Sequence, residues 1–497
     1  MGMLEMFYVG FSQILAVKPL ILIFLGVGVG IVFGAIPGLT ATMAVALFLP
    51  LTFGMHPVDG MALLIGLYIG GVSGGLISAI LIKIPGTPSS IATTFDGYPM
   101  AEKGEAGKAL GAGIFYSFLG GWFSFLVLFF IAPPLADVAL RFGPPEYFSI
   151  AIFSLTLIAS LSTGSTIKGL MSGIVGVLLS CVGTAPIDAF PRFTFGFYQL
   201  DGGFNLLPAL VGLFAITEIL KTAESDIEIK LDHIANYRIK GFGFSGKEFV
   251  QQLGNFIRSA LIGTGIGILP GIGGGTSNIL SYIAAKKMSK HPEKFGTGIL
   301  DGVVASETAN NASIGGALVP LLAMGIPGDT VTAMLLGGLM IHGLSPGPLL
   351  FTTSGNIVYG IFAALIVANF VMVLMEYFGI RFFVRLLKIP KHIMLPIIIV
   401  FCVVGAYGLN NRVFDAWSVM FFGVIGYAFE KWGFPLAPVI LGFILGPLAE
   451  TNLRRGLMMT QGNFLPFLTK PVSGAFLVIA LASVVYSVIK ERKQAKR

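Results

Sequence analysis

Apolar stretches dominate the chain, and most run longer than a soluble core requires. A helical bilayer crossing needs roughly 17–25 largely apolar residues. Runs of this kind lie near 20–50, 61–83, 109–132, 146–162, 167–184, 205–220, 256–284, 299–324, 331–346, 357–378, 393–409, 415–430, 434–449 and 472–489. Several are too short or too interrupted for a simple span, so the pattern predicts about a dozen crossings with re-entrant pieces among them. Residues 221–255 break the pattern, with Lys221, Glu224, Asp226, Glu228, Lys230, Asp232, Arg238, Lys240, Lys247 and Glu248. They read as a solvated, amphipathic linker between two membrane halves. Leu4, Phe7, Tyr8, Phe11, Ile14 and Leu15 recur at helical spacing and end at Lys18-Pro19, which predicts an N-terminal helix over 1–19 lying in the interface. The division is therefore 1–19, a first membrane half over 20–220, the linker, a second half over 256–460, and a last membrane helix with a basic tail over 461–497.

The interruptions recur. Ile36-Pro37-Gly38 and Ile84-Pro85-Gly86 in the first half match Leu269-Pro270-Gly271 and Ile326-Pro327-Gly328 in the second, and Pro208, Gly212 and Glu218 match Pro438, Gly442 and Glu450. The shared order, at offsets of roughly 230–240 residues, points to one duplication. Chance pairing in a Gly- and Pro-rich chain is the competing reading; the flanking Gly74-Gly75 and Gly315-Gly316 pairs argue against it. Lys286, Lys287, Lys290 and Lys294 follow the first break of half two, where half one has no Lys or Arg. Lys103 and Lys108 follow the second break of half one, where half two has none. Basic loops facing non-basic ones are what inverted repeats give. The expected fold is all-α and polytopic, two inverted repeats with Pro-Gly-broken helices and re-entrant hairpins.

Such breaks carry chemistry. Pro removes a backbone donor and Gly allows the dihedrals that follow. Freed amides and carbonyls at membrane depth must be satisfied by protein or water, so paired breaks line a cavity rather than face lipid. Half-helix N-termini there suit anions, and unwound carbonyls suit cations. The candidate binding residues are Pro37, Gly38 and Thr40; Pro85, Gly86, Thr87, Ser89 and Ser90; Pro270, Gly271, Gly273, Gly274 and Thr276; and Pro327, Gly328, Asp329 and Thr330. Thr87 before Pro88 reads as a helix cap.

The segment Ser306-Glu307-Thr308-Ala309-Asn310-Asn311-Ala312-Ser313 sets polar residues between apolar runs. Intramembrane ionisable groups are functional candidates by default. Glu307 binds a cation, carries a proton, or pairs with a basic residue. Glu307, Asn310, Asn311 and Asp329 are the candidate ligands of a coupling Na⁺. Lys83 stands two residues before Pro85; it pairs with a substrate carboxylate, with Glu307 or with Asp329, or it snorkels to an interface. Asp96 is either functional or a turn former.

Composition narrows the classes. Of 497 residues 55% are hydrophobic and 11% charged, too few charges to cover a soluble globule of this size. The net charge of +7 gathers in clusters such as Lys286–Lys294, Arg381–Lys391 and Lys490–Arg497. Short cytoplasmic loops and a cytoplasmic C-terminus explain these better than nucleic acid does. The two cysteines imply neither disulfides nor a metal site, and the N-terminus lacks the basic region of a cleaved signal. Gly273-Gly274-Gly275-Thr276 lacks the Gly-Lys-Ser/Thr of a phosphate loop, so no cofactor is expected and energy comes from a gradient of Na⁺ or H⁺ or from a partner. The close glycines from Gly28 to Gly34 suit helix packing. Secondary transport is the leading reading. An anion channel needs a continuous polar pore, and a membrane-embedded enzyme needs a catalytic constellation not visible here.

Longer motifs give a resemblance. Pro85-Gly86-Thr87-Pro88-Ser89-Ser90 through Phe95-Asp96-Gly97-Tyr98-Pro99-Met100-Ala101, then Lys103 to Gly111, Gly267 to Gly273, Ala305 to Ala312 and Gly325 to Asp329 resemble the TctA-type large permease subunit of the tripartite tricarboxylate transporter family, over about residues 20–460. The resemblance implies a multi-pass permease of the bacterial inner membrane. It implies two partners, a small four-helix membrane subunit and a periplasmic solute-binding protein. It also implies uptake of carboxylates such as citrate by cation symport. Fold-level analogy adds an elevator motion against a homodimeric scaffold. The family commonly has Asn before the Ile-Pro-Gly of its first half, where Lys83 stands here; substrate or ion coupling is the property this difference touches.

Overall fold

The computed structural model describes residues 2–161, 165–224, 242–386 and 391–495. The linker charges Asp226, Glu228, Lys230, Asp232, Arg238 and Lys240, together with Lys388 and the side chains of the tail beyond Glu491, lie outside these residues. What is described is almost wholly helical, as an unsolvated backbone must be.

The first half forms α1 (Met3–Ile14), α2 (Val17–Ala35), α3 (Ala41–Phe48), α4 (Pro57–Ile82), α5 (Thr93–Glu102), α6 (Ala106–Ala139), α7 (Pro144–Leu161), α8 (Thr166–Ser180), α9 (Leu206–Val211) and α10 (Thr217–Glu224). A π turn over Gly212–Ile216 joins the last two, and a two-stranded antiparallel pair, Gly183–Thr184 with Pro191–Arg192, precedes them. After the linker come α11 (Gly246–Ile268), α12 (Gly273–Met288), α13 (Leu300–Met324), α14 (Thr330–Ile341), α15 (Leu349–Thr353), α16 (Gly355–Leu386), α17 (Lys391–Asn410), α18 (Val413–Lys431), α19 (Leu436–Met459), α20 (Leu465–Thr469) and α21 (Pro471–Ala495). Nine helices among the described residues are long and apolar enough to cross a membrane, and α3, α7, α8 and α14 are shorter apolar helices. The expected run 20–50 divides into α2 and α3 at Pro37-Gly38, and the expected linker is helical at both ends, in α10 and α11.

Each half contributes to two units. One comprises Met1–Ala136 with Glu218–Phe401; the other comprises Asp137–Thr217 with Cys402–Arg497. Every candidate binding residue falls in the first.

In that first unit small residues bring backbones into contact. A side chain at Gly26, Gly30 or Gly34 of α2 would run into the α4 backbone, and one at Gly66, Gly70 or Gly74 of α4 would run into α2. Gly263 and Gly267 of α11 meet Ala309 and Ser313 of α13 in the same manner. Helices in lipid gain little from apolar burial, so they associate by close packing of this small-xxx-small kind. α1 lies on α16, with Gly10 against the backbone of Tyr359 and Gly360, and leaves Leu4 and Tyr8 exposed.

In the second unit Gly176 of α8 meets Val439 of α19 and Gly442 of α19 meets Gly173 of α8. Near the strand pair, Glu450 holds Arg192 through two hydrogen bonds and also pairs with Arg454, which reaches Asp188 at 2.9 Å.

Candidate functional site

The four breaks share a plan and differ at their caps. After α2, Gly38 turns with φ of +91°, and its carbonyl accepts the Thr222 hydroxyl at 2.8 Å. Thr40 then caps α3, its hydroxyl accepting the Met43 amide at 3.1 Å. After α4, Ser90 ties down a 3-10 turn over Pro88–Ser90, its hydroxyl accepting the Thr87 amide at 3.3 Å and donating to the Thr87 carbonyl at 2.9 Å. Thr87 and Ser89 share a hydroxyl hydrogen bond of 3.0 Å, and Gly86 leaves no room for a side chain beside the Gly34 carbonyl and Ser78. After α13, Gly325 closes the helix in the left-handed region, Gly328 packs on Ala317 and the Gly267 carbonyl, and Asp329 caps α14 by accepting the Thr332 amide at 2.7 Å. The break after α11 is different. Gly271 and Gly273 both have positive φ, and Ile272 precedes α12 with no side-chain cap. The first amides of α12 are therefore left for another acceptor.

These breaks converge. A side chain at Gly274 would lie 3.0 Å from Asn310 Oδ1 and from Ser89 Cβ and 3.1 Å from Ser313 Oγ. Gly275 faces the Pro88 carbonyl, and Gly273 lies beside Asp329. The Ala92 amide donates to Asn278 Oδ1 at 2.8 Å. The Thr42 and Thr330 hydroxyls meet at 2.9 Å, and the Tyr68 hydroxyl of α4 donates to Asp329. Residues of the second and fourth breaks thus meet around the start of α12, the third break, and Thr42 after the first break reaches the start of α14. Thr276 is partly buried in its first turn.

Glu307 is fully buried on α13 beside this cluster. Thr93 donates to one carboxylate oxygen and Ser117 to the other at 3.0 Å. Asn310 donates to the Val72 carbonyl and Asn311 to the Glu307 carbonyl, both at 3.3 Å, and each leaves its amide oxygen buried without a partner. Of the readings open for Lys83, pairing with Glu307 or Asp329 does not form. Lys83 caps the C-terminus of α4 in the left-handed region, exposed, with its ammonium 5.3 Å from the Tyr98 ring centroid. Glu307 and Asp329 instead take hydroxyl donors, and no described ion pair involves them. Asp96 is neither a turn former nor part of the cluster. It accepts the amides of Gly296, Gly298 and Ile299 and the Tyr282 hydroxyl, clamping a loop to α5 and α12. Among the described residues no three His, Cys, Asp or Glu side chains gather as they would around a metal ion.

Sequence reasoning missed Tyr68 and Ser117, which carry no local signal, and left Asn278 out of the candidates although it closes the polar stretch after the third break. It also missed Glu376, an ionisable residue inside the predicted span 357–378; the rule that singled out Glu307 applies to it equally.

Spanning helices whose broken ends turn to one buried polar cluster define a multi-pass membrane protein of the transport class. The chain belongs to the tripartite tricarboxylate transporter TctA family, whose model matches residues 20–441. It is 37% identical over 491 residues to an uncharacterized 52.8 kDa protein in the TAR-I ttuC' 3' region of Agrobacterium vitis, covering 98% of this chain and 97% of that one. It is also 35% identical over 227 residues to an uncharacterized protein in the TAR-II ttuC' 3' region of the same organism, covering 46% of this chain and 94% of that one. No solved structure matches the chain.

Proposed function

We propose that the chain is the large permease subunit of a binding-protein-dependent secondary transporter that takes up di- and tricarboxylates by cation symport. The observation that carries the reading is the meeting of three helix breaks at the uncapped start of α12, with the first break reaching the neighbouring start of α14. An uncapped helix N-terminus offers amides and a positive dipole end to a carboxylate. Gly274 keeps the approach open, and Ser89 and Ser313 offer neutral hydroxyls at its rim. Glu307 stands behind this cluster, and the free amide oxygens of Asn310 and Asn311 suit a desolvated cation. A sodium ion would draw on these oxygens and on Asp329; a proton would reside on the carboxylates. A cation must accompany the substrate inward, because each negative charge moved against 100 mV costs about 2.3 kcal/mol.

The family and the layout support the remaining parts of the reading. The periplasmic binding protein delivers substrate, and the small four-helix subunit completes the permease in the bacterial inner membrane. Both halves lay down a helix, a break, a helix, a long helix, a second break and a further helix, which suits inverted repeats moving as an elevator on a homodimeric scaffold. α1 lies in the interface and the C-terminus is cytoplasmic. Uptake of labelled citrate into vesicles holding both membrane subunits tests the proposal. It should saturate, require the binding protein, and stop when Na⁺ and proton gradients are both collapsed. Uptake indifferent to both gradients would overturn symport.

A further inference from the structure

Glu376 lies in the C-terminal half of α16, after a long apolar stretch, and is fully buried. Its Oε2 accepts the Ser73 hydroxyl of α4 at 3.0 Å, and its Oε1 has no hydrogen-bond partner. The same hydroxyl also lies 3.4 Å from Met372 Sδ. No counter-charge faces it among the described residues. From α1, Glu5 holds its own Gly2 amide and Tyr8 is exposed. From α2, Gly28 meets the neighbouring Met375, and Lys18 pairs with Asp59 of α4 at 2.6 Å. Tyr68 of α4 is taken by Asp329. α15 carries no titratable residue. From α6, Lys108 pairs with Glu248, and Tyr116 packs on Phe244 and Phe249. On α16 itself Tyr377 packs against Phe242 with the rings tilted, and Arg381 and Arg385 are exposed. The acid within electrostatic reach is Glu307.

An ionised carboxylate with one hydroxyl donor and no cation is costly at membrane depth. The neutral acid avoids that cost, and it ionises only when water or a rearranged α4 supplies more donors. The residues around Ser73 make this more than a tolerated defect. The Val72 carbonyl accepts Asn310, Gly71 packs on Ala41 of α3, and Gly75 faces Thr87 and Ser90 of the second break. One turn of α4 therefore touches three parts of the break cluster on some sides and Glu376 on another.

We propose that Glu376 is a proton-carrying site, a second buried carboxylate that loads and releases the coupling proton while the α4 turn at Val72–Ser73 links its state to the helix breaks. Loading converts carboxylate and one proton from water to the carboxylic acid, and release returns that proton to water. The coupling role rests on the transport reading; the protonation does not.

Infrared difference titration of the purified full-length chain in nanodiscs tests the proton site first. The carbonyl stretch of a protonated, buried carboxylic acid should titrate in the wild type and be lost in Glu376→Gln. Ser73→Ala, which removes the donor without emptying the site, should shift its midpoint. A band unchanged in Glu376→Gln overturns the proposal. With both membrane subunits and the binding protein in vesicles, Glu376→Gln should lose proton-driven accumulation and keep exchange of internal for external carboxylate. Accumulation equal to the wild type overturns the coupling role. A wild-type complex that moves no carboxylate under any gradient overturns the transport reading, and the infrared band then decides the proton site.

Discussion

The Tyr68 hydroxyl donates to the Asp329 carboxylate, so a residue in the middle of the first half's long helix holds the cap of the second half's last broken helix. Asp329 thereby serves three donors, Tyr68 and both the amide and the hydroxyl of Thr332. Tyr68→Phe should cost about 1.5–3 kcal/mol, the worth of a hydrogen bond to a charged group. Asp329→Ala should cost more, because it strips the α14 cap, worth about 1 kcal/mol, and leaves the Tyr68 hydroxyl stranded. Thermal unfolding in detergent checks both, and Asp329→Asn, which keeps an acceptor for the cap, should fall between wild type and Asp329→Ala.

Gly274→Ala separates stability from function. Alanine favours a helix over glycine by about 1 kcal/mol, so α12 should be no less stable. Its methyl group would nonetheless stand 3.0 Å from Asn310 Oδ1 and Ser89 Cβ, on the approach to the first amides of α12. Uptake should fall sharply while the unfolding temperature changes little. Wild-type uptake by this variant would mean that the substrate carboxylate does not approach there.

Glu307→Gln keeps the shape of the side chain and removes its charge, and Thr93 and Ser117 retain an acceptor. Asn310→Ala removes the amide that ties α13 to the Val72 carbonyl. Both variants should insert and fold, and both should be impaired in gradient-driven uptake. Normal transport by both would remove this cluster from the site.

What the sequence displayed was local. Pro37, Pro85, Pro270 and Pro327 mark breaks because the chemistry of a Pro-Gly pair is visible in two residues, and Thr87 before Pro88 does stand at the N-cap position of a turn, although its hydroxyl goes to Ser89. Partner choice was not visible. Nothing near Lys83 says that its ammonium lies over Tyr98 rather than on a carboxylate, because that depends on how α4 ends and how α5 folds back. Tyr68 meets Asp329, 261 residues away, only because α14 packs on α4. The division into units was equally hidden. Each half contributes to both units, an arrangement that composition along the chain does not display.

The contrast between Gly267 and Gly265 tests the packing argument on one helix. A side chain at Gly267 would strike the Ser313 carbonyl and the Ala317 backbone, whereas one at Gly265 meets nothing within 4 Å. Gly267→Leu should separate α11 from α13 and cost about 3 kcal/mol. Gly265→Leu should be tolerated. Yield and thermal stability of the two variants, purified in parallel, give the answer; equal behaviour would mean that these helices do not rely on backbone contact.

Glu248 gives a pH dependence outside the membrane. The Lys108 ammonium 2.5 Å away, and then the Ser245 backbone amide, hold its carboxyl down at about 2 from an ordinary 4.5. A carboxyl with a lowered folded value contributes stability that is complete above the unfolded value and is lost as pH falls through the folded one. The loss should therefore develop between about pH 4.5 and pH 2, as protonation releases Lys108 and the Ser245 cap of α11. Both side chains are about one-third exposed, so solvent screens the pair and the effect is modest. Unfolding temperature followed across that window should fall in the wild type and fall less steeply in Glu248→Gln. Parallel curves would place the acid sensitivity on other carboxylates.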